Sequence, residues 1–332
     1  MTPLEAAVEA LRGATRVTAI CHENPDADTI GAAVAVARLA GLLGKEAEIV
    51  SADRPPPMFD FLIGIDGVVP RPHLEPDLAV ICDAATMERV GRVAVDQADW
   101  LSRARILNID HHVSNTGFGD INLVDPHAAA TCEVLAGLVS ALGVELDAEL
   151  ATALLTGIIR DSHGFSDPST SGDTLRIAAD LVERGAPLAF LHQRILADLP
   201  FRTMALWGQM LGTLGQAAGG RIVHATLRPE MLAATGTEQH DADGLVEFLA
   251  RSRDGEVTIL ARDLGETGTR ISVRSVAPVD ATRIAAAFGG GGHARRAGCS
   301  VPLPVEAALA RVVEVAVEQL PPGADASRRL DR

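Results

Sequence analysis

Short apolar runs alternate with helical stretches through the first half of the chain. Val17-Thr18-Ala19-Ile20 reads as a strand, an alanine-rich helix follows over residues 30–43 and closes at Gly44, and further strands are expected over 48–51, 78–81 and 106–109. Helices over 131–142 and 148–160 continue the pattern. Strands separated by helix-length segments predict a parallel sheet with helices on both faces, where ligands collect at the carboxyl ends of the strands. From about residue 173 to 214 the pattern is helical. A second pattern then begins, with strands over 221–227, 257–262 and 269–276, a glycine run and a helix over 305–318. The expected fold is α/β, with an N-terminal parallel-sheet domain over 1–190, a helical linker over 191–215, a smaller C-terminal α/β domain over 216–320, and a polar tail over 321–332 expected to be disordered.

The chain has 332 residues, 47% of them apolar, which is enough for two ordinary cores. The N-terminal amphipathic pattern carries Glu5 and Glu9, lacks the basic start of a signal peptide, and no run approaches the roughly 18 apolar residues of a membrane span. A cytoplasmic protein without membrane contact is therefore expected. The net charge of −15 argues against a broad surface for long duplex DNA, whose affinity comes from neutralising phosphates, but leaves room for a small phosphorylated substrate. Lys45 is the only lysine, so a side-chain phosphate clamp must be built from arginine. Tyrosine is absent and aromatics are 3%, which disfavours a long stacking platform for single strands. Cys21, Cys82, Cys132 and Cys299 lie far apart and form neither a zinc cluster nor a disulfide framework.

The strand ends carry the chemistry. Asp110-His111-His112 follows the apolar run Arg105-Ile106-Leu107-Asn108-Ile109, and His22-Glu23-Asn24-Pro25-Asp26-Ala27-Asp28 follows the first strand. Asp83 closes the third strand and Asp161 follows a helix. Titratable groups leaving bulk water must be hydrated, paired or coordinated. A hard divalent cation such as Mn²⁺ accepts this mixture of imidazole and carboxylate. Each residue also has a plainer reading: Asp26 or Asp28 as a helix N-cap, Asp83 and Asp161 as turn residues, His22 as a core histidine. Four successive element ends would then each need an independent reason to carry a ligand-type residue.

His22-x-x-x-Asp26-x-Asp28, Asp83, Asp110-His111-His112 and Asp161 resemble, in order and spacing, the metal-site motifs of the DHH phosphoesterase family. A second signature, Gly289-Gly290-Gly291-Gly292-His293 followed by Ala297-Gly298 and preceded by Ile271-Ser272-Val273-Arg274-Ser275, resembles the DHHA1 domain. Together they point to the stand-alone nanoRNase and oligoribonuclease branch (NrnA-like), as against a longer RecJ-type exonuclease. The resemblance implies two Mn²⁺ per subunit, with Mg²⁺ or Co²⁺ as substitutes. His22, Asp26 and Asp83 would hold one, and Asp28, Asp83, His111 and Asp161 the other. Asp110 would orient its neighbours and His112 would face the scissile phosphate. Arg274, His293 and the amides around Gly290, Gly291 and Gly292, acting as an anion nest, would grip a terminal phosphate or nucleotide. A homodimer is also implied.

Two departures stand out. Many relatives have Thr-Gly after Asp161, whereas this chain has Ser162-His163-Gly164, which puts an imidazole where it touches substrate, faces solvent or supports the ligands from behind. Arg295 and Arg296 fall where relatives often carry small residues, and Arg296 is expected to add a phosphate contact. The implied activity is hydrolysis of very short oligoribonucleotides to mononucleotides, together with dephosphorylation of 3′-phosphoadenosine 5′-phosphate. The competitors are a phosphodiesterase for c-di-AMP or its linear dinucleotide product, a RecJ-like single-strand exonuclease, and a non-catalytic nucleotide-binding regulator. Family II inorganic pyrophosphatase shares the metal half, and the glycine-histidine segment argues against it.

Overall fold

The computed structural model describes residues 1–322 and divides into two compact units, Met1–Asp198 and the residues from Leu199 onward. The tail expected to be disordered lies, from residue 323, outside the described residues. In the first unit α1 (Pro3–Gly13) starts at a capping box, where the Thr2 hydroxyl accepts from the Glu5 amide and the Glu5 carboxylate accepts from the Thr2 amide. The strands β1 (Arg16–Ile20), β2 (Glu46–Val50), β3 (Leu78–Cys82), β4 (Arg105–Asp110) and β5 (Ile121–Val124) form one parallel sheet in the order β2-β1-β3-β4-β5. The helices are α2 (Ala27–Leu42), α3 (Arg92–Asp96), α4 (Ala98–Leu101), α5 (Thr131–Leu142), α6 (Ala148–Asp161), α7 (Gly172–Glu183) and α8 (Leu188–His192).

Alternation along a strand sends successive side chains to opposite faces. Leu78, Val80 and Cys82 join the larger core with α1, α2, α5 and α6, while Ala79 and Ile81 pack with Val90, Val93, Trp100 and Leu101 on the other face. Burial on both faces is why β3 reads as an unbroken apolar run. The short edge strand β5, with only Ile121 fully buried, carries too weak a pattern to be read from sequence.

The second unit contains α9 (Phe201–Leu211), β6 (Gly215–Ala217), β7 (Ile222–Leu227), α10 (Pro229–Thr235), α11 (Leu245–Leu249), β8 (Val257–Asp263), β9 (Thr269–Ser275), α12 (Ala281–Ala286), β10 (Gly291–His293), β11 (Arg296–Val301) and α13 (Val305–Gln319). Its sheet runs β10-β11-β9-β8-β7-β6, with β7 and β8 parallel and the other neighbours antiparallel. Residues expected to form the linker divide between the units: Leu191 and Ile195 belong to the first core, while Leu206 and Met210 pack with Leu227 and Leu260 of the second. Among the described residues no helix is long and apolar enough to cross a membrane.

In the first unit α2 packs tightly against α6. A Cβ on Gly31 would lie 2.6 Å from the Ala153 carbonyl oxygen and 3.3 Å from Cys132 Sγ. Helix propensity favours alanine over glycine by about 1 kcal/mol, but backbone overlap of this kind costs about 1–3 kcal/mol. Gly31→Ala should therefore destabilise the protein, seen as a lower urea midpoint at unchanged slope; an unchanged or higher midpoint would contradict the packing.

Candidate metal centre

The predicted ligands all lie at element ends of the first unit. His22 follows β1, Asp26 is the N-cap of α2, Asp28 sits in its first turn, Asp83 follows β3, His111 and His112 follow β4, and Asp161 closes α6. Three groups could each hold a cation: His22 with Asp26 and Asp83, Asp28 with His111 and Asp161, and Asp83 with His111 and His112, the donor atoms within each lying within 4.8 Å of one another. His22 Nε2 is 3.6 Å from Asp26 Oδ1 and 3.5 Å from Asp83 Oδ2. His111 Nε2 is 3.6 Å from Asp83 Oδ1 and 3.3 Å from Asp161 Oδ2. Asp83 thus touches both halves. The capping role weighed for Asp26 is real as well, since its Oδ1 accepts from the Asp28 and Thr29 amides.

Backbone carbonyls orient both imidazoles. His22 Nδ1 bonds to the Glu23 carbonyl at 2.7 Å and His111 Nδ1 to that of Ala128 at 3.2 Å, leaving each Nε2 toward the carboxylates. His111 Nε2 is buried and has no hydrogen-bond partner. A buried ring nitrogen without a hydrogen-bond partner, turned into a cluster of carboxylates, suits a divalent cation, and the donor set of imidazole and carboxylate fits one.

Asp110, fully buried, has another job. Its Oδ1 accepts from the His111 amide at 2.9 Å and from His112 Nδ1 at 2.7 Å, and Oδ2 accepts from Asn115 Nδ2 at 2.6 Å. Burial opposes its ionisation, but the bonds from His112 and Asn115 outweigh it and hold its carboxyl below the usual range. His112 is raised above 6.5, chiefly by that bond to Asp110. Asn115 was not anticipated, although it also bonds to the carboxamide of Asn108, a buried polar residue in an otherwise apolar strand that was the available signal.

Asp28 is likewise fully buried, with Oδ2 accepting from the Thr131 amide at 2.6 Å and Oδ1 from the Cys132 amide at 3.0 Å. It closes the N-terminus of α5, whose own N-cap position holds Ala130 and supplies no side chain. Thr131 Oγ1 also donates to Asp83 Oδ1 at 2.9 Å. Neither Thr131 nor this cap was visible in sequence spacing. Among the described residues no cation-sized group includes a thiol, and burial pushes Cys21 up to about 12. His163 adopts φ +49°, next to Gly164 and Phe165, both at φ +67°, and Asp83 itself has φ +61°. Such left-handed backbone at non-glycine residues is strained and concentrates here beside the ligands. His163 Nδ1 lies 3.2 Å from the Asp161 carbonyl oxygen.

In the second unit, Arg274 and Arg296 are partners across β9 and β11, and His293 faces Arg296 across β10. Arg274 does not reach outward unpaired: Nε and Nη2 donate to Glu247 Oε1 at 3.0 and 2.6 Å. The glycine run also differs from an open nest. The Gly290 amide donates to the Ala285 carbonyl, and Gly291 and Gly292 pair with β11. A Cβ at Gly290 would meet the Gly298 oxygen at 2.2 Å, so close strand packing explains that glycine. Arg295 donates to the Val279 carbonyl.

Residues 16–158 match the DHH family, N-terminal domain, and residues 219–320 match the DHHA1 domain. The chain is 38% identical over 304 residues to the bifunctional oligoribonuclease and PAP phosphatase NrnA of Thermus thermophilus, covering 90% of this chain and 88% of that protein. It belongs to the DHH/DHHA1 family. The bifunctional oligoribonuclease and PAP phosphatase NrnA of Bacillus subtilis is 25% identical, over 84% of this chain and 87% of that protein. The crystal structure of an exopolyphosphatase-related protein from Bacteroides fragilis shares the fold, with a TM-score of 0.86, 19% identity, and coverage of 95% of this chain and 96% of that one.

The imidazoles and carboxylates of the DHH centre shift one another's protonation. Burial pulls His22 down, yet Asp26 and Asp83 overcome it and take it up to about 10. Burial likewise opposes His111, and Asp161, Asp28 and Asp83 raise it to about 10. Asp28 and Asp83 are raised, first by burial and then by neighbouring carboxylates. The carboxylates favour protons on both imidazoles, and a cation binding there competes with those protons. Affinity for a divalent cation should therefore weaken as pH falls, by about tenfold per pH unit for each proton released. Calorimetry in buffers of different ionisation enthalpy checks this; binding without proton release between pH 6 and 8 would refute it.

Proposed function

We propose that the protein is a divalent-cation-dependent phosphodiesterase that hydrolyses very short oligoribonucleotides to mononucleotides and removes the 3′-phosphate of 3′-phosphoadenosine 5′-phosphate. The observation that carries this is the convergence of His22, Asp26 and Asp83 and of Asp28, His111 and Asp161 into two adjoining cation-sized groups, linked by the approach of Asp83 to both His22 and His111. The bifunctional activity in the name of the Thermus relative supports the substrate class. The reading extends to two Mn²⁺ per subunit, a homodimer and a cytoplasmic location.

Bound there, two cations would neutralise phosphoryl oxygens and lower the pKa of an attacking water. The chain's own residues do the rest. Asp83 reaches His22 and His111 through different oxygens, so this one carboxylate would serve both cation sites. With Nδ1 held by Asp110, His112 presents Nε2, and the bond to Asp110 keeps that ring protonated to higher pH. His112 then gives the Nε2 proton to the ribose oxygen as the P–O bond breaks, while water supplies the hydroxyl that joins phosphorus. In the second unit, Arg274, Arg296 and His293 form the patch for a terminal phosphate, with Glu247 aligning Arg274 until phosphate replaces it.

Incubation with Mn²⁺ and a labelled diribonucleotide, 3′-phosphoadenosine 5′-phosphate, c-di-AMP or a 12-mer should give fastest turnover on the diribonucleotide; strong preference for the 12-mer or for c-di-AMP would reject this assignment. His112→Ala should lower kcat by about 10²–10⁴-fold. Because an acid is lost as pH rises through its pKa, Asp110→Asn should move the alkaline limb of kcat down toward about 6.5. An alkaline limb that stays in place would remove His112 from the role of acid.

A further inference from the structure

Arg89 lies at the edge of the cation-binding cluster with its guanidinium almost unengaged. The Glu23 amide donates to the Arg89 carbonyl at 2.8 Å, which ties the Met87–Val90 turn to the loop that carries His22. Gly91, at φ +65°, allows this approach, since a Cβ there would lie 2.9 Å from both Cβ and Oε2 of Glu23. Backbone contacts, and not its charge, thus hold Arg89 in place. Its Nη2 is 3.4 Å from His22 Nδ1, but the Nδ1 proton already serves the Glu23 carbonyl at 2.7 Å, so two donors face each other. Its carboxylate contact is Glu23 Oε1 at 3.9 Å, with the side chain 49% exposed. Neighbouring Arg92, by contrast, is paired to Asp53 at 3.1 Å. The only lysine, Lys45, is spent on the carbonyls of Arg12 and Ala14.

Resting on the phosphodiesterase reading above, we propose that Arg89 is a catalytic residue that binds a non-bridging oxygen of the substrate phosphate at the His22 side of the centre. His22 approaches Asp83 Oδ2 through Nε2 and carries Arg89 at its Nδ1, while His112 approaches Asp83 Oδ1, so Arg89 stands on the His22 side of the centre and His112 on the other. A guanidinium suits the task because its donors match a phosphate fork. Glu23 is a weak resting partner that an incoming phosphate displaces.

The test compares wild type, Arg89→Ala and Glu23→Gln as Mn²⁺-loaded full-length proteins, titrated calorimetrically with adenosine 5′-monophosphate, with Mn²⁺ affinity of the metal-free proteins measured in parallel. Arg89→Ala should weaken the nucleotide by about ten- to a hundredfold, with Mn²⁺ affinity and melting temperature unchanged. Glu23→Gln should bind the nucleotide as tightly as wild type or more tightly. Equal nucleotide affinity for wild type and Arg89→Ala, or no binding by wild type, overturns the proposal. So does a loss of Mn²⁺ affinity of about 10–100-fold in Arg89→Ala, because Arg89 would then act by supporting His22. So, too, does a Glu23→Gln protein that weakens the nucleotide like Arg89→Ala. Failure of wild type to cleave the diribonucleotide overturns the phosphodiesterase reading, while the nucleotide titration still decides on Arg89.

Discussion

Five carboxylates crowd the carboxyl edge of one sheet, and three of them, Asp28, Asp83 and Asp110, are cut off from bulk water. Their mutual repulsion in a low-dielectric setting is the constraint on which the first unit turns, because unpaired buried charge costs more than nearby apolar contacts return. Positive potential has to come from somewhere. The chain offers two sources: the imidazoles of His22 and His111, whose pKa values the carboxylates raise, and the amides that open α2 and α5. A parallel α/β sheet delivers these helix N-termini to the same edge as the strand ends, so the fold supplies partial positive charge where the ligands gather.

This requirement reaches into the packing. Asp28 can satisfy the first amides of α5 only if α2, α5 and α6 approach closely, and the glycines permit it. A Cβ on Gly157 would fall 2.2 Å from Asp28 Oδ1 and 2.5 Å from Cys132 Sγ. Residues that look like helix-breaking liabilities in the sequence are therefore the contact surface that lets a buried carboxylate meet a neighbouring helix. The strained backbone at Asp83 is a second consequence, since its amide bonds to the Ile109 carbonyl while its side chain turns toward both imidazoles.

A division of labour among adjacent residues follows. In Asp110-His111-His112 the three side chains point to different tasks although they are consecutive, because the chain leaves the sheet and turns within them. Asp110 remains inside and bonds to His112 and Asn115, His111 turns its Nε2 into the cluster, and His112 stays half exposed. The second unit shows a similar economy: Gly290 and Gly292 serve the tight β10–β11 hairpin, while the charged residues stand on neighbouring strands.

Sequence by itself determined the α/β class, the parallel first sheet and the groups gathered at its edge, because apolar runs of strand length mark their own ends and ligand-type residues sit at those ends. It also separated the two patterns of elements. It could not show that Asp28 caps a helix about a hundred residues away, that Glu247 holds Arg274, or that Asn115 supports Asp110. It read the glycine run as an open nest, whereas Gly290 is engaged by Ala285. Nor did any pattern mark Arg89, whose position is set by a backbone bond to the loop after β1. Periodicity reports which face of an element meets the core. Hydrogen bonds between segments far apart in the chain carry no period, so only the tertiary structure decided them.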